Sequence, residues 1–129
     1  MDVRSLIPKH KHDHRVISKL KKLSFQDMQP IVPDLLIWLQ DMHWPIAIKV
    51  AKVLKPFADR INLEVLPILT SNDELWILGV LHHIARYSTN LDVIRAVERI
   101  AKFPTKDEVE NYVDEIAMEI LLEMRIINK

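Results

Sequence analysis

Apolar positions recur at helical spacing along almost the whole chain. Val16, Ile17, Leu20 and Leu23 form one stripe, and Arg15, Lys19, Lys21 and Lys22 cover the remaining surface. Asp13 stands where a cap for this first helix belongs, and Leu6 to Asp13 reads as extended, so residues 1–12 are an extended lead-in. Ser24-Phe-Gln-Asp27 is a capping-box variant opening a short turn. Pro30 and Pro33 fit the first turn of the next helix, where a missing N–H costs little. The apolar run from Asp34 predicts a helix ending near Asp41, then a tight corner, then a helix started by Pro45. In that helix Ile46, Ala47, Val50, Ala51 and Leu54 face inward, while Lys49, Lys52 and Lys55 face out. Both helices are apolar on more than one face, and such helices need neighbours on both sides.

The pattern repeats. Asn62 to Thr70 predicts a short helix bent by Pro67. Ser71-Asn-Asp-Glu74 reads as a full capping box opening a helix to about Tyr87. The corners at Asp41 and Ser71 lie about 30 residues apart, the spacing of a two-helix repeat. A third unit starts at Thr89-Asn-Leu-Asp92 and runs to Lys102. After Phe103-Pro104, Thr105-Lys-Asp-Glu108 caps a last helix. Its inner stripe is Val109, Tyr112, Val113, Ile116, Ala117, Ile120, Leu121 and Met124, with Glu110, Asp114, Glu119 and Glu123 opposite. The expected architecture is all-α: a single domain over residues 1–129, a short HEAT-like α-α superhelix of about three hairpins, with one-sided amphipathic helices capping both ends.

Composition narrows the function more than it defines it. Apolar residues make up 49% of the 129 positions, enough for a full core, and charged residues 28%. The apolar runs are too short for a transmembrane helix, and the N-terminus has no signal-peptide core, so no membrane association and a cytoplasmic location are expected. The absence of cysteine excludes disulfides, thiol nucleophiles and cysteine–zinc sites. One glycine against seven prolines excludes phosphate-cradling glycine loops and dinucleotide fingerprints. Net charge is zero but uneven. Residues 1–60 carry 11 Lys+Arg against 6 Asp+Glu, and residues 61–129 carry 7 against 12, giving +5 and −5. A uniform nucleic-acid footprint is absent, and duplex binding is expected to be weak.

The stretch Leu36-Ile-Trp-Leu-Gln-Asp-Met-His-Trp-Pro45 closely resembles the signature of a bacterial family of unknown function. The opening Ile7-Pro-Lys9, the Ser71-Asn-Asp73 corner with Trp76 after it, and the acidic run Asp114 to Leu121 match the same pattern. His10-Lys11 and His43 depart from it, in that other members often carry an acidic–basic pair and an Asn there. The resemblance implies a small HEAT-type helical-repeat domain and brings no activity with it.

Several residues bear on chemistry. His10, His12 and His14 alternate on the extended lead-in and would share one side, as imidazoles binding zinc, copper or nickel do; adjacent lysines and the lack of a completing carboxylate favour a solvated basic segment, and no metal or other cofactor is expected. Asp41, His43 and Trp44 stand in the signature corner. They are either a partner contact or a structural corner in which Asp41 accepts backbone N–H bonds, Trp44 plugs the hairpin interface and His43 is exposed. Trp76, Val80, His83 and Tyr87 share one helix face, as an aromatic groove or as core with His83 buried, neutral and hydrogen-bonded. Gly79 shares its face with Leu75, His82 and Arg86; a mid-helix glycine costs about 1 kcal/mol relative to alanine, so close helix packing or a partner's approach must account for it. No catalytic constellation is present. The leading expectation is a protein-interaction module with an unidentified protein partner. The alternatives are a dedicated immunity or antitoxin-type partner, and a small HEAT-like enzyme such as a DNA-repair glycosylase, which would need a basic groove holding a carboxylate.

Overall fold

The computed structural model describes residues 2–127, with side chains through Met124. Among these residues every regular element is helical and there is no strand. The amino-terminal segment turns instead of extending. A 3-10 turn covers Val3–Leu6, opened by the Asp2 carboxylate accepting the Arg4 N–H at 3.0 Å. Further on, the Asp13 N–H donates to the His10 carbonyl and the His14 N–H to the His12 carbonyl. The alternation argument for His10, His12 and His14 therefore falls, because it required a strand. Asp13 does not cap the first helix. Its carboxylate is 2% exposed and folds back, accepting the Lys9 N–H and the Arg15 Nε, each at 2.9 Å. After a 3-10 turn at His14–Val16, α1 spans only Ile17–Leu20. It stops short of Leu23 because the next amides reach back three residues instead of four, Lys22 to Lys19 and Leu23 to Leu20.

Ser24 caps α2 (Phe25–Met28), its hydroxyl accepting the Asp27 N–H at 3.2 Å. Pro30 and Pro33 enter the first turns of a 3-10 segment (Gln29–Ile31) and of α3 (Val32–Leu36). A 3-10 segment, Ile37–Gln40, carries the chain to the corner at Asp41. Next come α4 (Ala47–Leu54), a 3-10 segment (Lys55–Arg60), and α5 (Asn62–Leu69) with Pro67 inside it. The cap of α6 (Glu74–His83) is Asp73, not Ser71: the Asp73 carboxylate accepts the Trp76 N–H at 3.1 Å, while the Ser71 hydroxyl donates to the Ile68 carbonyl. This helix does not run to Tyr87. It breaks at Ile84 (φ −125°) into a 3-10 turn, Ala85–Tyr87.

Asn90, rather than Thr89, caps α7 (Leu91–Lys102), accepting the Asp92 and Val93 N–H groups. Thr89 instead donates its N–H and hydroxyl to the Asp59 carboxylate. The Thr105/Glu108 capping box is complete, but it opens a five-residue α8 (Lys106–Glu110) instead of the last helix. Tyr112 then adopts φ 61°, and α9 (Val113–Ile127) starts afresh. The break rotates Val109 and Tyr112 out of the inner stripe, leaving them 48% and 66% exposed. Val113, Ala117, Ile120, Leu121 and Met124 stay buried.

One hydrophobic core joins these pieces. The α7–α9 contact is the most extensive; α5 lies on α6 and α7, and α6 lies on α9. In the amino-terminal half, α4 packs on α1, α3 and the 37–40 segment, which also contacts α6. Leu20, Leu35, Leu39, Ile46, Leu54, Leu69, Ile77 and Leu81 are fully buried. Each such side chain is worth roughly 1.5–3 kcal/mol of transfer free energy, and this is what holds helices too short to persist alone.

Candidate functional site

The signature corner is closed by its own hydrogen bonds. The Asp41 carboxylate accepts the His43 N–H at 2.9 Å, and the Trp44 N–H donates to the Asp41 carbonyl at 3.1 Å, so Asp41 closes the turn itself instead of capping α4. The His43 ring lies wholly in solvent, its Nδ1 3.3 Å from the Asp41 carboxylate. Trp44 is half-buried and meets Trp38 edge-on, the ring centroids 5.5 Å apart. Helix α6 lies across the segment before this corner. Trp76 donates its Nε1–H to the Leu36 carbonyl at 2.9 Å, at the point where α3 tightens into the 3-10 segment. Three residues on, a Cβ at Gly79 would stand 2.5 Å from the Leu39 carbonyl oxygen and 3.3 Å from Met42 Cγ. Gly79 is therefore a packing glycine, and the approaching backbone is the chain's own.

His82 and Arg86 face α9. Arg86 Nε is buried 3.3 Å from a Glu123 oxygen, a close ion pair whose alignment is not that of a hydrogen bond. Burial lowers the His82 pKa, with help from Arg86 and against the pull of Glu119 and Glu123. Burial, His82 and Arg86 lower that of His83. Both imidazoles are neutral at pH 7. His83 has no hydrogen-bond partner among the described residues, contrary to expectation. The Trp76 face divides: Val80 is buried in the core, whereas Tyr87 stays 44% exposed.

His83 and Tyr87 belong to a different feature, one the sequence did not single out. With Ile48, Ala51, Lys52 and Lys55 they line a groove of about 190 Å³ between α4 and the end of α6. Lys55 Nζ stands 4.2 Å from the centre of the Tyr87 ring, a cation–π contact. Ile48, 39% exposed, and the neutral His83 ring give the groove apolar walls. Lys52 also borders a second cleft, of about 370 Å³, lined by His14, Ile17, Ser18, Lys21 and Lys49. Neither lining contains a carboxylate, so neither cleft offers the acid a glycosylase would use. Lys21, Lys49 and Lys52, like Lys9, Lys11, Lys19, Lys22 and Lys55, have no acidic partner within ion-pair distance among the described residues, whereas Arg4, Arg15, Arg99, Lys102 and Lys106 each do. The signal was present: no Asp or Glu stands between Asp41 and Asp59, while Lys49, Lys52 and Lys55 recur every third residue. What the sequence could not supply is the fold of the His10–His14 turn onto α4, made by the Ile46 N–H donating to the Lys11 carbonyl at 3.1 Å.

Among the described residues no group of three or more His, Asp or Glu is placed to hold a metal ion, and no helix is long and apolar enough to cross a membrane. The molecule is thus an all-helical protein whose most distinctive surface is a run of unpaired lysines beside a tyrosine. Residues 6–121 match the model of a domain of unknown function (DUF5071), and the chain belongs to that family. No curated protein matches it.

Proposed function

We propose that this protein is an interaction module whose α4–α6 groove takes an acidic segment of a protein partner. The observation that carries this reading is the groove itself. Lysines without acidic neighbours flank an exposed Tyr87 and Ile48, which combines the long-range attraction and the aromatic anchor that recognition surfaces use. The helix pairing supports a short HEAT-like stack as the scaffold: α5 lies on α7 and α6 on α9, as in successive hairpins in register. The first pair departs from that register, with the 37–40 segment seated on α6.

The test compares capture from native lysate by the wild-type chain, by a Lys52→Glu/Lys55→Glu/Tyr87→Ala variant, and by a Lys106→Glu control. A partner retained by the control and lost by the groove variant, and cross-linked from Lys55 to a stretch rich in Asp and Glu, is the expected result. Equal capture by all three would remove the groove from the interface.

A further inference from the structure

The second cleft differs in character from the groove beside it. His14, Ser18 and Lys21 come from the amino-terminal turns and α1, Lys49 and Lys52 from α4 across the gap. Every polar group in the lining can donate a hydrogen bond, and none is a carboxylate. Like charges brought together across two packed elements repel. Arg4, Arg86, Arg99, Lys102 and Lys106 are held in ion pairs, whereas these three lysines, like several other surface cations, have none among the described residues. His14 Nδ1 is buried with no hydrogen-bond partner among the described residues. The turn that presents His14 is held rigidly, from below by the buried Asp13 carboxylate on Lys9 and Arg15, and from α4 by the Ile46–Lys11 bond. The His14 side of the cleft is thus set before any ligand arrives, which lowers part of the ordering cost of binding.

We propose that this cleft binds a phosphoryl group. A compact, multiply charged tetrahedral oxyanion suits a cleft lined from two sides by three lysines, a serine and a histidine, with no carboxylate among them. The site goes beyond the partner-segment reading and stands without it.

The probes are inorganic phosphate and O-phosphoserine amide, each titrated into the labelled full-length chain and followed by NMR. Chloride at matched ionic strength serves as the control. Saturable shifts of the Ser18, Lys21 and Lys49 amides and of the His14 ring, absent with chloride, are expected. Response to both probes assigns a phosphomonoester as ligand, and response to inorganic phosphate alone assigns the free ion. Shifts equal to those with chloride, or no shifts, would overturn the proposal. Lys21→Gln and Lys49→Gln should each weaken binding roughly tenfold, as the loss of one charge-assisted contact does. His14→Phe, which keeps the ring and removes its nitrogens, should weaken it too. Lys22→Gln, outside the lining, should change nothing. Tyr87→Ala disables the partner groove and should leave phosphate binding intact, so the two readings fail separately.

Discussion

At the scale of single residues, Gly79 ties the signature corner to the rest of the fold. A glycine in the middle of a ten-residue helix is a poor helix former, and alanine there would add about 1 kcal/mol of helix propensity. The obstacle is the Leu39 carbonyl, 2.5 Å from where the new Cβ would sit. A backbone oxygen cannot swing aside like the end of a side chain, so α6 must lift off the 37–40 segment and strain the Trp76–Leu36 bond. Overpacking of this kind costs roughly 1–3 kcal/mol. Gly79→Ala should therefore lose up to about 2 kcal/mol net, measured by urea denaturation. A variant more stable than the wild type would show that the two segments are free to separate. The same contact explains why Trp76 follows the Ser71-Asn-Asp73 corner at its spacing. The Asp73 cap sets the start of α6, and that start sets which residues meet the Leu36 and Leu39 carbonyls.

At the scale of elements, Tyr112 marks where the carboxy-terminal hairpin departs from a simple periodic reading. A non-glycine residue at φ 61° carries a Cβ that the left-handed region disfavours, by about 1–2 kcal/mol. Its ring is 66% exposed, so it recovers little by packing. Tyr112→Gly should be stabilising by about 0.5–1 kcal/mol, whereas Val113→Gly, at a buried position one residue on, should destabilise. Thermal melts of the two variants decide it, and a less stable Tyr112→Gly would mean that the ring contributes more than its exposure suggests. Stripes such as Val16–Ile17–Leu20 and Ile116–Ile120–Met124 were legible because burial on one face leaves a direct trace in spacing. The caps were legible as clusters but misplaced in detail: Ser71, Asp73, Thr89 and Asn90 all carry oxygens able to cap, and only the folded chain decides which is used. The breaks at Ile84 and Tyr112 left no trace, since neither involves Gly or Pro. The groove was half visible, as the outward lysines Lys49 and Lys52 on α4 and Lys55 just after it. Its other wall depends on the break at Ile84, which brings Tyr87 over Lys55.

At the scale of the whole molecule, four groups bind protons less readily in the folded chain than in the unfolded one. His82 and His83 lie below their ordinary 6.5, burial being the main cause. Asp13 lies below its ordinary 3.8, chiefly because its carboxylate accepts the Lys9 N–H. Burial alone would raise Glu108, but the two-pronged Arg99 bond, at 2.6 and 2.9 Å, and the Thr105 backbone N–H outweigh it and lower the carboxyl from 4.5. All four act in the same direction. The unfolded chain takes up protons first as pH falls, so stability is greatest above the unfolded values and declines on acidification. The decline should come in two steps. The first sets in below about 6.5, as unfolded histidines charge while His82 and His83 stay neutral, and the second below about 4.5, as unfolded carboxyls protonate while Glu108 and Asp13 stay ionised. Guanidinium unfolding midpoints measured across that range test this. His82→Asn/His83→Asn should flatten the upper step and leave the lower. Glu108→Gln should blunt the lower step and cost roughly 1–3 kcal/mol at neutral pH, because it leaves Arg99 with a weaker, uncharged partner. A midpoint that rises between pH 7 and pH 5 would contradict the assignment of both imidazoles as neutral, and with it the apolar wall that His83 gives the groove.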